Sequence, residues 1–337
     1  QGDGVMEFGL RRAQGPDAGI YGARAAVIAG CIGTSNVYAG QKFHMPVLGT
    51  HAHSWIMSFP TELEAFKAYA RLYPNNCILL VDTYDTLKSG VKNAILCYDA
   101  MKEEGIPLKR FGIRLDSGDL AYLSKKARKM LDEAGYPDAI ISASNDLDEN
   151  LIASLKAQGA CITSWGVGTN LITSESQPSF GGVYKLAATY SDEGQWVPKI
   201  KLSENSEKIT NPGNKQIYRI IEKDSGKVFA DYIALEEERF SEAEDLVLFD
   251  PIDTWKKSTL KGGSYEMKPL LVPIFLGGKL VYNCPSVEEI KAHCKKEQES
   301  LWEECRRLTN PHAVHVDLSD KLYEMKKQLL TQYSRGE

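Results

Sequence analysis

Apolar runs closed by polar clusters recur through the first half of the chain. They are Cys77-Ile-Leu-Leu-Val-Asp82, Phe111-Gly-Ile-Arg-Leu-Asp116, Ala139-Ile-Ile-Ser-Ala-Ser144 and Cys161-Ile-Thr-Ser-Trp165. Unbroken apolar runs of this length suit strands covered on both faces, as in a parallel sheet. The segments between them read as helices over 91–104, closed by Gly105, then 120–133 and 149–158. Upstream, the Ala-rich stretch 23–29 reads as helix and Met45-Pro-Val-Leu-Gly-Thr50 as a short strand. Thr61-Glu-Leu-Glu64 has capping-box spacing, opening a helix that runs through Phe66 and Tyr69 and stops before Pro74.

Strands alternating with helices predict repeated βα architecture, as a barrel or an open doubly wound sheet. Both bind ligands beyond the carboxyl ends of their strands. Those ends carry Thr50-His-Ala-His53, Asp82-Thr-Tyr-Asp85, Arg114-Leu-Asp116-Ser-Gly-Asp119, Ser144-Asn-Asp146 and Gly166-Val-Gly-Thr169. Chemically capable side chains therefore collect where this architecture places a site. From about residue 186 the pattern changes to strand-like segments, 197–202, 215–222, 227–233, 268–275 and 279–282, with helices near 286–308 and 319–334. This divides the chain into an α/β domain over 1–185 and a β-rich domain with C-terminal helices over 186–337.

Composition narrows the classes. The 337 residues are 43% apolar and 25% charged with a net charge of -5, an ordinary globular balance. An acidic balance argues against general nucleic-acid or membrane-surface binding. No apolar run approaches the ~20 residues of a membrane helix. The opening residues lack a signal-peptide pattern and an initiator Met, which points to a fragment or a processed chain. Seven scattered cysteines, an odd number without zinc-knuckle spacing, predict buried thiols at Cys77 and Cys161, no structural metal and a reducing, cytoplasmic setting.

Several segments can carry chemistry. In Gly166-Val-Gly168-Thr169 the glycines let backbone N–H groups approach phosphate oxygens and Thr169 adds a hydroxyl; ordinary turn glycines are the alternative. Gly181 and Gly182 form a second such turn. Arg114 and Asp116 share one strand face and, with Asp119, suit a phosphate, ribose hydroxyls or Mg²⁺, or else a structural ion pair. His51 and His53 stand two apart at a strand end with no third zinc ligand nearby, leaving acid–base or nucleophilic work. Phe8 beside Arg11 and Arg12 suits a flat anionic ligand, against a solvated basic patch with a core Phe.

Taken in order, Phe8-Gly-Leu-Arg-Arg-Ala-Gln-Gly15-Pro-Asp17, Gly33-Thr-Ser-Asn36, Gly49-Thr-His-Ala-His-Ser54, Arg114-Leu-Asp-Ser-Gly-Asp119 and Gly166-Val-Gly-Thr169 resemble the nicotinate phosphoribosyltransferase family. Lys199-Ile-Lys-Leu-Ser203, Lys208-Ile-Thr-Asn-Pro-Gly213 and Asn310-Pro-His312 extend the resemblance almost to the end. It implies a type II phosphoribosyltransferase fold, an irregular TIM-like α/β barrel with a second, smaller β-rich α/β domain. It further implies nicotinate and phosphoribosyl pyrophosphate as substrates, ATP as cosubstrate, Mg²⁺, and a homodimer. His53 matches a histidine transiently phosphorylated by ATP, with His51 in support. Arg114 and Asp116 match residues that contact the ribosyl pyrophosphate and base, and Asp119 falls in the same segment. Gly166, Gly168, Thr169, Gly181 and Gly182 fall in loops expected to hold the 5′-phosphate, and Phe8 and Arg11 match the base-stacking segment. At Thr34-Ser35, nicotinamide-using relatives place Asp where Ser35 stands; Ser donates to a carboxylate that Asp would repel, so Ser35 favours nicotinate. The resemblance also implies a region ahead of Phe8, including a Tyr that completes the partner subunit's base site. The alternatives are a ligand-binding or dimerisation fragment without turnover, and a nicotinamide-using enzyme.

Overall fold

Six strands form one all-parallel sheet: β1 (Gly4–Glu7), β2 (Gly33–Thr34), β3 (Cys77–Leu80), β4 (Phe111–Leu115), β5 (Ile140–Ala143) and β6 (Ser164–Val167), in the spatial order β2-β1-β6-β5-β4-β3. The computed structural model describes residues 2–205 and 208–334. Helices Val91–Glu103, Leu120–Glu133 and Glu149–Ala157 follow β3, β4 and β5 in turn. Odd-numbered strand residues (Leu79, Ile113, Leu115, Ile141, Trp165) pack with Ala94, Tyr98, Met101 and Leu131 of the helices in one buried cluster. Full burial of one such Leu or Ile stabilises by about 1.5–3 kcal/mol, so this face fixes the register.

Even-numbered residues point to the other face, because strand side chains alternate. There, at the carboxyl ends, Phe8, Gly166, Ser144, Arg114 and Asp116 meet. The two edges of the sheet are joined by one backbone segment. Val47 forms a single bridge with Thr34 of β2, and the His51 Nε2 accepts from the Leu80 N–H of β3 at 3.2 Å.

Three expectations shift in this unit. Residues 45–50 make that one bridge and no strand. The strand expected over 161–165 lies at Ser164–Val167, because the Cys161 N–H turns aside to the Ser124 hydroxyl (3.2 Å). Cys161 is accordingly half-buried, whereas Cys77 is fully buried. β1 and β2 are additional strands: β1 lies just ahead of the Phe8 motif, and β2 opens Gly33-Thr-Ser-Asn36.

Two compact units divide the chain: residues up to Phe180 with Pro285–Lys295, and Gly181–Cys284 with Lys296 onward. The boundary thus falls at 180/181 rather than 185/186, and 285–295 return to the first unit. Val287 packs with Ile20, Ala23 and Val27, and Lys291 donates to the Cys31 carbonyl (2.9 Å).

The second unit begins with a small hairpin of β7 (Ala188–Tyr190) and β8 (Trp196–Pro198). Then come β9 (Lys215–Glu222), β10 (Val228–Leu235), β11 (Leu246–Phe249), β12 (Lys257–Leu260), β13 (Tyr265–Pro269), β14 (Phe275–Leu276), β15 (Lys279–Leu280) and β16 (His315–Leu318). The central sheet runs β13-β9-β10-β16, with β16 parallel to β10 and the other pairs antiparallel. Its core is Ile220, Ala230, Tyr232, Leu246, Leu248 and Tyr265. The helix expected over 286–308 ends at Ser300. There Lys227 Nζ donates to the carbonyls of Glu299 (2.6 Å) and Leu301 (3.4 Å), and Trp302 is extended. A last helix, Asp320–Ser334, buries Leu322 against Leu235 and Leu318.

Candidate active site

Arg114, near the end of β4, organises the cluster. Its Nε donates to Ser144 Oγ (2.9 Å), its Nη2 to Asp116 Oδ1 (3.0 Å) and its Nη1 to Thr50 Oγ1 (2.5 Å). Ser144 also donates to Asp116 Oδ1. The guanidinium carbon lies 5.9 Å from the centre of the Phe8 ring. Most of the guanidinium donors are thus held by the protein's own groups, which fixes its plane beside the ring.

Phe8 follows β1, and its N–H donates to the Val167 carbonyl at 2.8 Å. Its ring lies over Gly166, where a Cβ would stand 2.6 Å from two ring carbons. Glu7, on the opposite face and fully buried, accepts from the Gly9 N–H and the Thr34 hydroxyl. Those two bonds tie the turn after Phe8 to the Thr34-Ser35 segment. The Ser35 N–H donates to the Glu7 carbonyl at 2.9 Å.

The two histidines have different environments. His51 is 7% exposed, and its Nε2 accepts from a backbone N–H, so the remaining proton sits on Nδ1. Burial lowers its pKa to about 4, helped by the charge of Arg114, so the ring is neutral at ordinary pH. His53 opens the helix His53–Met57 and its side chain is 40% exposed. Its Nδ1 lies 3.1 Å from Thr83 Oγ1, and its Nε2 lies 3.6 Å from Asp116 Oδ2 and 3.9 Å from Asp82 Oδ1.

The carboxylates differ as well. Asp82 Oδ2 accepts from the Asp116 N–H (2.9 Å) and the Ser117 hydroxyl (2.6 Å), while its buried Oδ1 has no hydrogen-bond partner among the described residues. For Asp116, burial works to raise the pKa, but the Ser144 hydroxyl and Arg114 outweigh it and hold the carboxyl below the usual range. Asn145 and Asp146, just past β5, have φ of 99° and 44°. Asn170 holds that strained turn by donating to the Asp146 and Leu147 carbonyls, both at 3.2 Å.

Of the residues singled out from sequence, Phe8, Thr34, Ser35, His51, His53, Arg114, Asp116 and Gly166 are linked through these contacts. Gly168 and Thr169 open the one-turn helix Thr169–Ile172 next to the Phe8–Gly9 backbone. Arg11 is exposed in a 3-10 turn, and Asp119 caps the next helix through the Tyr122 N–H (2.9 Å). Gly181 and Gly182 are exposed in the second unit with nothing within 4 Å of a built Cβ. Sequence reasoning did not select Thr50, Asp82, Thr83 and Ser144, although each stands in a polar strand-end cluster that was itself legible.

The sequence pattern of the nicotinate phosphoribosyltransferase (NAPRTase) family matches residues 4–208, and that of the nicotinate phosphoribosyltransferase C-terminal domain matches 214–326. A nicotinate phosphoribosyltransferase of Bacillus subtilis (strain 168) is 48% identical over 328 residues, 97% of this chain and 66% of that protein. One from Dictyostelium discoideum is 34% identical, covering 95% of this chain and 62% of its own length. The chain thus spans slightly less than two thirds of the length of these relatives. The crystal structure of human nicotinic acid phosphoribosyltransferase aligns with a TM-score of 0.79 at 28% identity, over 97% of this chain and 70% of that one. With two adjoining sequence patterns, relatives at these identities and one shared fold, this chain belongs to the nicotinate phosphoribosyltransferase family.

Proposed function

We propose that the protein forms nicotinate mononucleotide and pyrophosphate from nicotinate and phosphoribosyl pyrophosphate, coupled to ATP hydrolysis, as a step of NAD salvage. The observation that carries this reading is the exposed His53 imidazole, its Nε2 facing Asp82 and Asp116, beside an Arg114 locked against Phe8. The shared name of the curated relatives supports it.

In this reading the nicotinate ring stacks on Phe8, and Arg114 and Ser35 meet its carboxylate. Stacking holds the ring nitrogen toward ribose C1, so that much of the barrier is removed by positioning. Backbone N–H groups around Gly166, Gly168 and Thr169 take the 5′-phosphate; Asp116 and Asp119 take ribose hydroxyls. As pyrophosphate leaves, charge builds on its oxygens and Arg114 stabilises it.

Neutral His53 Nε2 attacks the γ-phosphorus of ATP, the bond to the β-phosphate oxygen breaks and ADP leaves, with Thr83 holding Nδ1; water later takes the phosphoryl group from His53 as phosphate, completing ATP hydrolysis. A phosphoryl group there would face two carboxylates, and the unpartnered Asp82 Oδ1 together with Asp116 Oδ2 makes a hard-oxygen set suited to Mg²⁺. Among the described residues no three His, Cys, Asp or Glu side chains are arranged to hold a metal ion, so the remaining ligands would be phosphate oxygens and water. Mg²⁺ supplies charge neutralisation at the phosphates when bound. A homodimer and a cytoplasmic setting complete the proposal; no helix among the described residues is long and apolar enough to cross a membrane.

Base choice gives the test. Ser35→Asp places a like charge against the nicotinate carboxylate and an acceptor against a carboxamide. The expected result is at least a tenfold loss of kcat/KM for nicotinate, about 1.4 kcal/mol, with a gain for nicotinamide. Unchanged preference would remove Ser35 from the base site. The second reading is binding of the substrates without turnover, since the donors of Arg114 are largely held by the protein's own groups; binding without product in the same assay identifies it.

A further inference from the structure

The second unit holds a cavity of about 490 Å³, inside the range of about 300–1,000 Å³ typical of small-molecule sites. Strand alternation on β16 brings His315 and Asp317 to it, while Val316 and Leu318 face the opposite side. Asp317 is 6% exposed, yet its carboxylate forms no hydrogen bond or ion pair among the described residues. The other buried acid among the described residues of this unit is satisfied: Glu238 accepts from the Leu235 N–H (2.8 Å) and the Ser319 hydroxyl (2.6 Å). Burial pushes the Asp317 pKa up to about 6, with Asp250 adding to the shift and His315 opposing it. At neutral pH the fold therefore carries an ionised carboxylate that opens into the cavity and is available to accept from a donor that enters it.

The rest of the lining says what kind of donor. Trp302 and Phe249 offer flat apolar surface. Lys257 lines the cavity, is exposed, and pairs with no carboxylate among the described residues. A simple amine would satisfy Asp317 but leave the rings and the lysine unused. A ring bearing a carboxylate would meet Asp317 with like charge.

We propose that this cavity binds a nucleotide whose base carries an exocyclic amino group, with that amino group donating to Asp317, the base against Trp302 and Phe249, and the phosphate toward Lys257 and His315. The site lies wholly in the second unit and does not depend on the reading of the strand-end cluster.

Cys305, a half-buried free thiol, lines the same cavity and reports its occupancy. The experiment alkylates the intact protein with N-ethylmaleimide and follows each cysteine by peptide mass spectrometry, with AMP as the probe. AMP is expected to slow modification of Cys305 several-fold and leave the exposed Cys284 of the same unit unchanged. Purine riboside 5′-phosphate, which lacks the amino group, is expected to need at least about tenfold more ligand for the same protection, the discrimination typical of a lost hydrogen bond to a charged group. Adenosine and the surface variant Lys257→Glu test the phosphate end and are expected to weaken protection. Asp317→Leu is expected to abolish protection and raise thermal stability; should it fail to fold, the ligand series still decides the matter on the unaltered protein. The proposal is overturned by no protection at millimolar AMP, by equal protection with the amino-free analogue, or by protection that vanishes in Arg114→Ala, which would place AMP at the strand-end cluster.

Discussion

Gly166→Ala isolates the Phe8 ring from everything around it. The added Cβ would lie 2.6 Å from two ring carbons and 3.5 Å from the Ser144 Cβ. Carbon atoms in contact settle at about 3.5–4.0 Å, so the ring must retreat by about 1 Å while Ser144 stays in place. The ring is the free end of a side chain at the open end of the strands, so the fold accommodates the change. The stability loss should fall at the low end of overpacking costs, about 1 kcal/mol, which lowers the Tm by about 2–4 °C in a unit of this size. A misplacement of about 1 Å in a group that positions a reactant can cost about a hundredfold in rate. We therefore expect kcat/KM for nicotinate to fall about 10–100-fold while KM for phosphoribosyl pyrophosphate stays within about twofold. Phe8→Ala removes the ring itself, and in that background Gly166→Ala should add nothing beyond about 0.5 kcal/mol. Nearly intact activity in Gly166→Ala, or an equal loss with and without the ring, would refute the claim that Gly166 is glycine to seat Phe8.

The remaining predictions concern the histidines. His53→Ala should abolish both acid-labile phosphate incorporation from ATP and the ATP stimulation of product formation; retention of either takes the phosphoryl-accepting role away from His53. His51 binds a proton near pH 6.5 when unfolded but only near pH 4 when folded, because burial opposes its charge. The unfolded chain therefore holds the extra proton between those values, and stability should fall by up to about 3 kcal/mol as pH drops from 6.5 to 4. Urea unfolding of the parent and His51→Gln at pH 7 and pH 4.5 measures this, and an identical pH dependence in both would show that His51 does not carry it.

The sequence revealed the parts of the fold that rest on long apolar runs. β3, β4 and β5 and their following helices were legible because both strand faces are covered and each helix carries a cap or a terminal glycine. β1 and β2 were not, because four residues and two residues, each beginning with Gly, give no periodic signal. They become strands only because β6 and β1 offer a parallel edge, a tertiary effect. The return of 285–295 to the first unit was hidden for the same reason: Val287 looks like any helix residue until Ile20 and Val27 are beside it. The charged stretch after Ser300 kept its helical composition, but Lys227, in the turn ahead of β10, binds the carbonyls at the helix end. In the site, His53, Arg114 and Asp116 were legible as motif residues. Asp82 and Ser144 were legible only as members of polar strand-end clusters, since their roles depend on which oxygen faces which neighbour. Only the resemblance separated His53 from His51 in the sequence; burial and the Leu80 N–H give the physical difference.

The proposed work of the strand-end cluster is ATP-coupled phosphoribosyl transfer to nicotinate. The most direct measurement is product formation from phosphoribosyl pyrophosphate with nicotinate or nicotinamide, each with and without ATP and Mg²⁺. The expected product is nicotinate mononucleotide, stimulated by ATP, with little or none from nicotinamide. Turnover of nicotinamide in preference to nicotinate, or of neither base under conditions where a full-length relative is active, would contradict that assignment.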